Sequence, residues 1–194
     1  MDGGIELKRI AVYCGASKGN NAIYEKAAVQ IGNWIVDQEH ELVYGGGKAG
    51  LMGVLADTVI QRSGIVTGVI PTFLQARELA HEQLNKIIIV SNMHERKAKM
   101  IELADCYIAI PGGPGTLEEI TEVISWGRIG QHVNPCIFYN VNGYYDLIGQ
   151  FYDKMVEEGF LTKTDRQKIL VTDSLDEINT FISTYVPPDI RQYN

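Results

Sequence analysis

The 194-residue chain has three cysteines and no C-x-x-C spacing, so it offers neither a zinc ribbon nor a disulfide framework. Cys14, Cys106 and Cys136 fall in or beside apolar runs and read as buried, reduced thiols. No uninterrupted stretch of about 18 apolar residues occurs, so no membrane-spanning helix is expected. The opening Met1-Asp2-Gly3-Gly4 lacks the basic and then apolar regions of a secretory signal, and a cytoplasmic location follows as the expectation. Positive charge is also scarce: 17 Lys and Arg against 24 Asp and Glu give a net charge of −7 and a pI near 5.1. Nothing resembles a basic stripe, which argues against nucleic acid as a partner. An anionic ligand would have to be met by a few placed cations. Two familiar glycine motifs are missing as well. The first turn, Gly15-Ala-Ser-Lys-Gly19, is not G-x-G-x-x-G, and no acidic residue ends the second predicted strand, so an NAD dehydrogenase is not expected. Gly45-Gly-Gly-Lys48 lacks the spacing and the Ser or Thr of a P-loop.

What is present is a chain that is 45% hydrophobic, enough for the core of one domain over residues 1–194. Short apolar runs alternate with helical patterns. Residues 8–14 read as a strand before a helix from about Ala22 to Asp37, and 41–44 as a strand before a helix from about Leu51 to Gln61. A third strand, 65–70, stops at Pro71, and the polar segment 75–82 has no clear period. Further strands are expected at 86–90, 105–110, 135–139 and 168–171, with helices at 92–104, after 116, at 144–158 and at 174–185. This alternation predicts a Rossmann-like, doubly wound parallel sheet, with three small-residue loops (15–19, 45–50, 111–116) at the carboxyl edge where such folds bind ligands.

The stretch Ile110-Pro111-Gly112-Gly113-Pro114-Gly115-Thr116-Leu117-Glu118-Glu119 joins a strand to a helix through a glycine-rich turn. Glycines 112, 113 and 115 leave backbone N–H groups uncovered, and the positive end of the helix favours an anion such as a phosphate. The same residues allow a plainer reading, because Thr116 and Glu119 have the spacing of a capping box that merely satisfies the helix start. Three glycines around two prolines exceed what a turn requires, which favours a ligand.

A second anomaly lies in Met93-His94-Glu95-Arg96-Lys97-Ala98-Lys99-Met100-Ile101. At helical spacing Met93, Met100, Ile101 and Ala104 form one apolar stripe; Lys97 falls inside it and Arg96 at its edge. An inward cation at a helix start needs a compensating partner. Either a glutamate pairs with a snorkelling Lys97, or a bound anion meets both cations, Arg96 gripping it through two parallel N–H bonds.

Tyr44-Gly-Gly-Gly47, Gly50-Leu-Met-Gly53, Gly68-Val-Ile-Pro71, Met93-His-Glu-Arg-Lys-Ala98 and Pro111-Gly-Gly-Pro-Gly-Thr-Leu-Glu-Glu119 together resemble the LOG ("Lonely guy") family, over roughly Ile10 to Ser174. Its members are cytokinin riboside 5′-monophosphate phosphoribohydrolases, often labelled lysine decarboxylases. The resemblance implies hydrolysis of the N-glycosidic bond of AMP or an N6-substituted relative to free base and ribose 5-phosphate. It places the catalytic pair on Arg96 and Glu119. It places ligand contacts on Glu78, Arg96-Lys97 and the turn from Gly113 to Glu119, which includes Gly115 and Thr116; Gly112 of the same turn and Gly46 and Gly47 of the second small-residue loop are further candidate substrate contacts. It implies no metal or organic cofactor and a homodimer. Helical geometry leaves Glu118 and Glu119 equivalent, each off the apolar stripe on a different side, so the family pattern alone selects Glu119. His81 and His94 could assist the departing base, although each is as well explained as a packing or surface residue. Two other functions are expected to be distinguishable: a pyridoxal phosphate decarboxylase, for which no lysine stands in a recommending context, and a nucleotide or molybdenum-cofactor carrier on the same fold.

Overall fold

A computed structural model describes residues 8–75 and 80–188. Their frame is one sheet of seven strands: β1 Arg9–Tyr13, β2 Glu41–Tyr44, β3 Val66–Pro71, β4 Lys86–Val90, β5 Cys106–Ala109, β6 Cys136–Tyr139 and β7 Ile169–Thr172. Every pairing is parallel, in the order β4-β3-β2-β1-β5-β6-β7. The expected doubly wound α/β architecture is thus observed.

The helices are α1 Ala22–Asp37, α2 Gly50–Gln61, α3 Thr72–Gln75, α4 Met93–Leu103, α5 Pro114–Arg128, α6 Asp146–Glu157, α7 Lys163–Arg166 and α8 Leu175–Thr184. Helices α1, α2 and α8 cover one face, where Ile31, Ile35, Leu55, Val59 and Ile178 pack on Ile10, Val12 and Ile108. Helices α4, α5 and α6 cover the other, where Met100, Ile120, Val123 and Tyr152 pack on Ala11, Tyr13, Tyr107 and Phe138. Because both faces are covered, the central strands are buried at nearly every position and read in the sequence as unbroken apolar runs rather than alternations. The edge strand β4 differs, leaving Ile87 and Ile89 exposed.

Side-chain caps start several of these helices: Asn21 accepts from the Ile23 N–H, Asn92 from Glu95 and Ser174 from Glu177. Helix α5 begins three residues before the expected cap at Thr116. Its N-cap is Gly113 and Pro114 occupies the first turn, where a residue without an N–H costs nothing. Thr116 and Glu119 both lie within the helix and are buried, so the capping-box reading does not hold. Of the segment 75–82, which has no clear period, Gln75 ends α3 and Ala80 makes an antiparallel bridge to Gly47, while 76–79 lie outside the described residues.

The chain winds outward from β1 in both directions, to β2 on one side and to β5 on the other. The reversal opens the carboxyl edge between β1 and β5, the place where doubly wound sheets take ligands.

Candidate active site

Three loops meet at that reversal, held by backbone hydrogen bonds. The Gly15 N–H donates to Pro111 O at 3.2 Å, and the Leu51 N–H donates to Gly15 O at 3.0 Å. Close approach requires some of the glycines. A Cβ on Gly112 would overlap Thr116 Oγ1 and lie 2.8 Å from Gly15 N, so close packing requires glycine there. Gly113 and Gly115 are exposed, and a Cβ on either would meet nothing within 4 Å. Helix α5 has no side-chain cap, and Pro114 has no N–H. The N–H groups of Gly115 and Thr116, in the first turn, therefore have no partner within the helix. With the positive end of the helix dipole, unpaired N–H groups of this kind suit an anion.

Beside this turn lies a buried ion pair. Arg96 of α4 and Glu119 of α5 are each 8% exposed, with Arg96 Nη1 3.4 Å from Glu119 Oε1. The guanidinium is held in place: Nε donates to Val69 O at 3.2 Å, and Nη1 lies 3.8 Å from Met93 Sδ. Gly45, at the end of β2, makes room for it, since a Cβ there would overlap Arg96 Nη2. Burial pushes the Glu119 carboxyl above the usual carboxylate range; Arg96 opposes that shift, and so, more weakly, does Lys97. The result is a buried carboxyl whose proton affinity is raised by desolvation and opposed by a facing guanidinium, an environment of the kind used for acid or base chemistry.

Lys97, which the hydrophobic stripe had exposed as an anomaly, has protein partners. Its Nζ donates to Glu118 Oε1 at 2.7 Å and lies 3.1 Å from Glu122 Oε2. The glutamate alternative is therefore the arrangement observed, and the hydrogen bond that Lys97 donates to Glu118 holds the ammonium pKa above its ordinary value. Packing also separates the two adjacent glutamates that helical geometry could not: Glu119 is buried and Glu118 exposed. Gly46 adopts a positive φ of 77° against Ile70, and Gly47 pairs with Ala80, so both shape the second loop. Glu78 lies outside the described residues. His81 is 2% exposed; its Nε2 is 2.8 Å from Asp57 Oδ1 and its Nδ1 accepts from the Gln83 N–H. Those contacts tie the 80–83 segment to α2. His94 is exposed on α4. Cys106 and Cys136 are buried, Cys14 half-buried, and all three are free thiols.

The family described as "Possible lysine decarboxylase" matches residues 52–182. The chain is 44% identical over 182 residues to the cytokinin riboside 5′-monophosphate phosphoribohydrolase LOG1 of Arabidopsis thaliana, covering 94% of this chain and 85% of that one. The chain belongs to the LOG family. The cytokinin riboside 5′-monophosphate phosphoribohydrolase LOG of Oryza sativa subsp. japonica is likewise 44% identical over 181 residues, covering 93% and 75% of the two chains. Among solved structures, a molybdenum cofactor carrier protein from Chlamydomonas reinhardtii superposes with a TM-score of 0.71 at 15% identity, covering 92% of this chain and 100% of that one. A molybdenum cofactor binding protein from Rippkaea orientalis gives 0.68 at 18% identity, covering 93% and 98%. At such identities the likeness is one of fold.

Several residues around this LOG-family site carried no sequence signal of their own. Tyr144 donates to Gly112 O at 2.5 Å and Tyr145 to Ile110 O at 2.9 Å, so two consecutive side chains just before α6 hold the carbonyls of the turn. Tyr144 also stacks edge-on against Tyr24, 5.5 Å between centroids. With Ser17, Lys18, Gly112 and Gly113 these two rings line a cleft of about 210 Å³. The repeated aromatic pair Tyr144-Tyr145 after Asn142-Gly143 was the available hint. Among the described residues no helix is long and apolar enough to cross a membrane, and no group of His, Cys, Asp and Glu has a metal-binding arrangement.

Proposed function

We propose that this chain is a nucleoside 5′-monophosphate phosphoribohydrolase that cleaves the N-glycosidic bond of AMP or an N6-substituted AMP to the free base and ribose 5-phosphate. The observation that carries the reading is the buried Arg96–Glu119 pair, 3.4 Å apart, set beside the open first turn of α5. The names of relatives 41–44% identical support it. The 5′-phosphate sits on the N–H groups of Gly115 and Thr116. The anomeric carbon then comes against Glu119. As the C1′–N bond breaks, the sugar becomes positive, and the Glu119 carboxylate stabilises that charge and orients the attacking water. The water oxygen bonds to C1′ while one of its protons passes to the departing base. Arg96 keeps Glu119 ionised and fixes its direction. The catalytic roles of Arg96 and Glu119, the contacts of Gly113, Gly115 and Thr116, and a ribose contact from Glu78 all belong to this proposal.

A lysine decarboxylase needs a neutral, nucleophilic lysine to bind pyridoxal phosphate. Lys97, the buried lysine of the cluster, is held protonated by Glu118 and Glu122, the opposite condition. A carrier reading draws on neighbours alike in fold alone, and a carrier would not require a buried Arg96–Glu119 pair. Incubation with AMP and with N6-isopentenyl-AMP, followed by chromatography for free base, tests the proposal. Release of either base supports it; nucleotide binding without release favours the carrier. The chain is further proposed to act as a homodimer in the cytoplasm; light scattering on the purified protein reads its mass directly.

A further inference from the structure

Five charged side chains line the contact between α4 and α5, and they are sorted. Arg96 faces Glu119, while Lys97 faces Glu118 at 2.7 Å and Glu122 at 3.1 Å. The sorting follows from helix geometry. Glu118 and Glu122, four residues apart, share one ridge of α5, and Glu119 lies about 100° round on the next. The Lys97 side chain is 10% exposed and reaches toward the 118/122 ridge. Its two partners are not equivalent. The Glu118 side chain is 59% exposed and screened by water, whereas that of Glu122 is 27% exposed and its Oε2 is fully covered, with Lys97 as its facing cation. Lysine is a point charge on a flexible stem, so the direction of Lys97 Nζ depends on which carboxylate holds it.

We infer that Glu122 is a positioning residue: with Glu118 it keeps Lys97 on the far ridge of α5, so that Arg96 is the one cation paired with Glu119 and the remaining Glu119 oxygen is free for water and substrate. This rests on the hydrolase reading. Without Glu122, Lys97 would turn toward the neighbouring ridge and occupy the carboxylate that the reaction uses. The groups facing Glu119 are Arg96 and Lys97 from α4, Glu118 and Glu122 from α5, Tyr13 at the end of β1 and Cys14 just after it. The two cations lower its pKa and the two glutamates raise it. Desolvation pushes up the pKa values of the buried Tyr13 and the half-buried Cys14, so both stay neutral.

The test is the pH dependence of kcat/KM in Glu122→Gln and Lys97→Met. Glu122→Gln removes a negative charge and sends Lys97 toward Glu119, so the acid limb should move down by about one pH unit, with kcat reduced about tenfold and the KM for AMP nearly unchanged. Lys97→Met removes a cation and should move the limb up. Glu122→Asp, which keeps the charge, should restore the parental limb. A merely structural Glu122 would lower activity without moving either limb. A carbon-13 NMR titration of the Glu119 carboxyl in the substrate-free protein, assigned by its loss in Glu119→Gln, reads the same shifts without turnover. If the parent releases no base, the hydrolase reading fails and the NMR titration still decides the arrangement. If the parent is active and neither the limb nor the titration moves, or Glu122→Gln moves it upward, the inference is overturned and the hydrolase stands. Should Glu122→Gln not fold, the Lys97→Met titration decides alone: a higher Glu119 pKa supports the arrangement and an unchanged one refutes it.

Discussion

Replacing Gly115 by alanine should make the protein more stable and less able to bind its substrate. Gly115 is the second residue of α5, its φ is not positive, and a Cβ there meets no atom within 4 Å. Exchanging glycine for alanine within a helix is worth about 0.5–1 kcal/mol, because the unfolded chain has less freedom to lose. For a chain of this size 1 kcal/mol corresponds to roughly 2–4 °C in Tm. The end of the helix realises part of that, and a rise of about 1–3 °C is expected. The same methyl stands beside the N–H groups of Gly115 and Thr116, where a phosphate has to approach. Loss of that contact should raise the KM for AMP at least tenfold, about 1.4 kcal/mol or more of binding. Differential scanning calorimetry and steady-state base release on one preparation measure both. A lower Tm would mean that the glycine serves the fold, and an unchanged KM would remove the phosphate from this turn.

Gly112→Ala should behave in the opposite way. Its methyl overlaps Thr116 Oγ1 and presses on Gly15 N, so overpacking should cost about 1–3 kcal/mol in a urea titration. Leu55→Ala, at a position 0% exposed beneath α2, should cost about 2–5 kcal/mol while leaving kcat of the folded fraction unchanged. Arg96→Met takes away the cation that opposes the raised pKa of Glu119. A carboxyl raised above its unfolded value contributes stability that is full below the ordinary carboxylate pKa and lost as pH climbs through the raised value. The variant should therefore lose stability more steeply than the parent between pH 5 and pH 8, as read by denaturant titrations at both.

The sheet was legible because parallel strands covered on both faces must be apolar throughout, and β1, β5 and β6 are. The turn at 111–116 was legible as backbone chemistry, but its start was misplaced: the Thr116 and Glu119 spacing suited a cap, whereas Pro114 extends the helix to Gly113. Lys97 announced itself by falling on an apolar stripe. What answers it, Glu118 and Glu122, lies 21 and 25 residues further along and across a helix contact that no local period encodes. Gly45 is glycine because a guanidinium from α4 rests against it, a reason that exists in three dimensions alone. Helical geometry leaves Glu118 and Glu119 equivalent and the family pattern alone selects Glu119; the physical difference, one buried and one exposed, comes from the docking of α5 on α4.

The central claim is that the Glu119 carboxylate serves glycosidic cleavage. The direct measurement is the rate of base release from AMP and N6-isopentenyl-AMP by the parent and by Glu119→Ala, with ribose 5-phosphate quantified alongside. The parent should release base and ribose 5-phosphate in equal amounts, and the variant should be at least about a hundredfold slower. Base release by the variant at the parental rate would contradict the account.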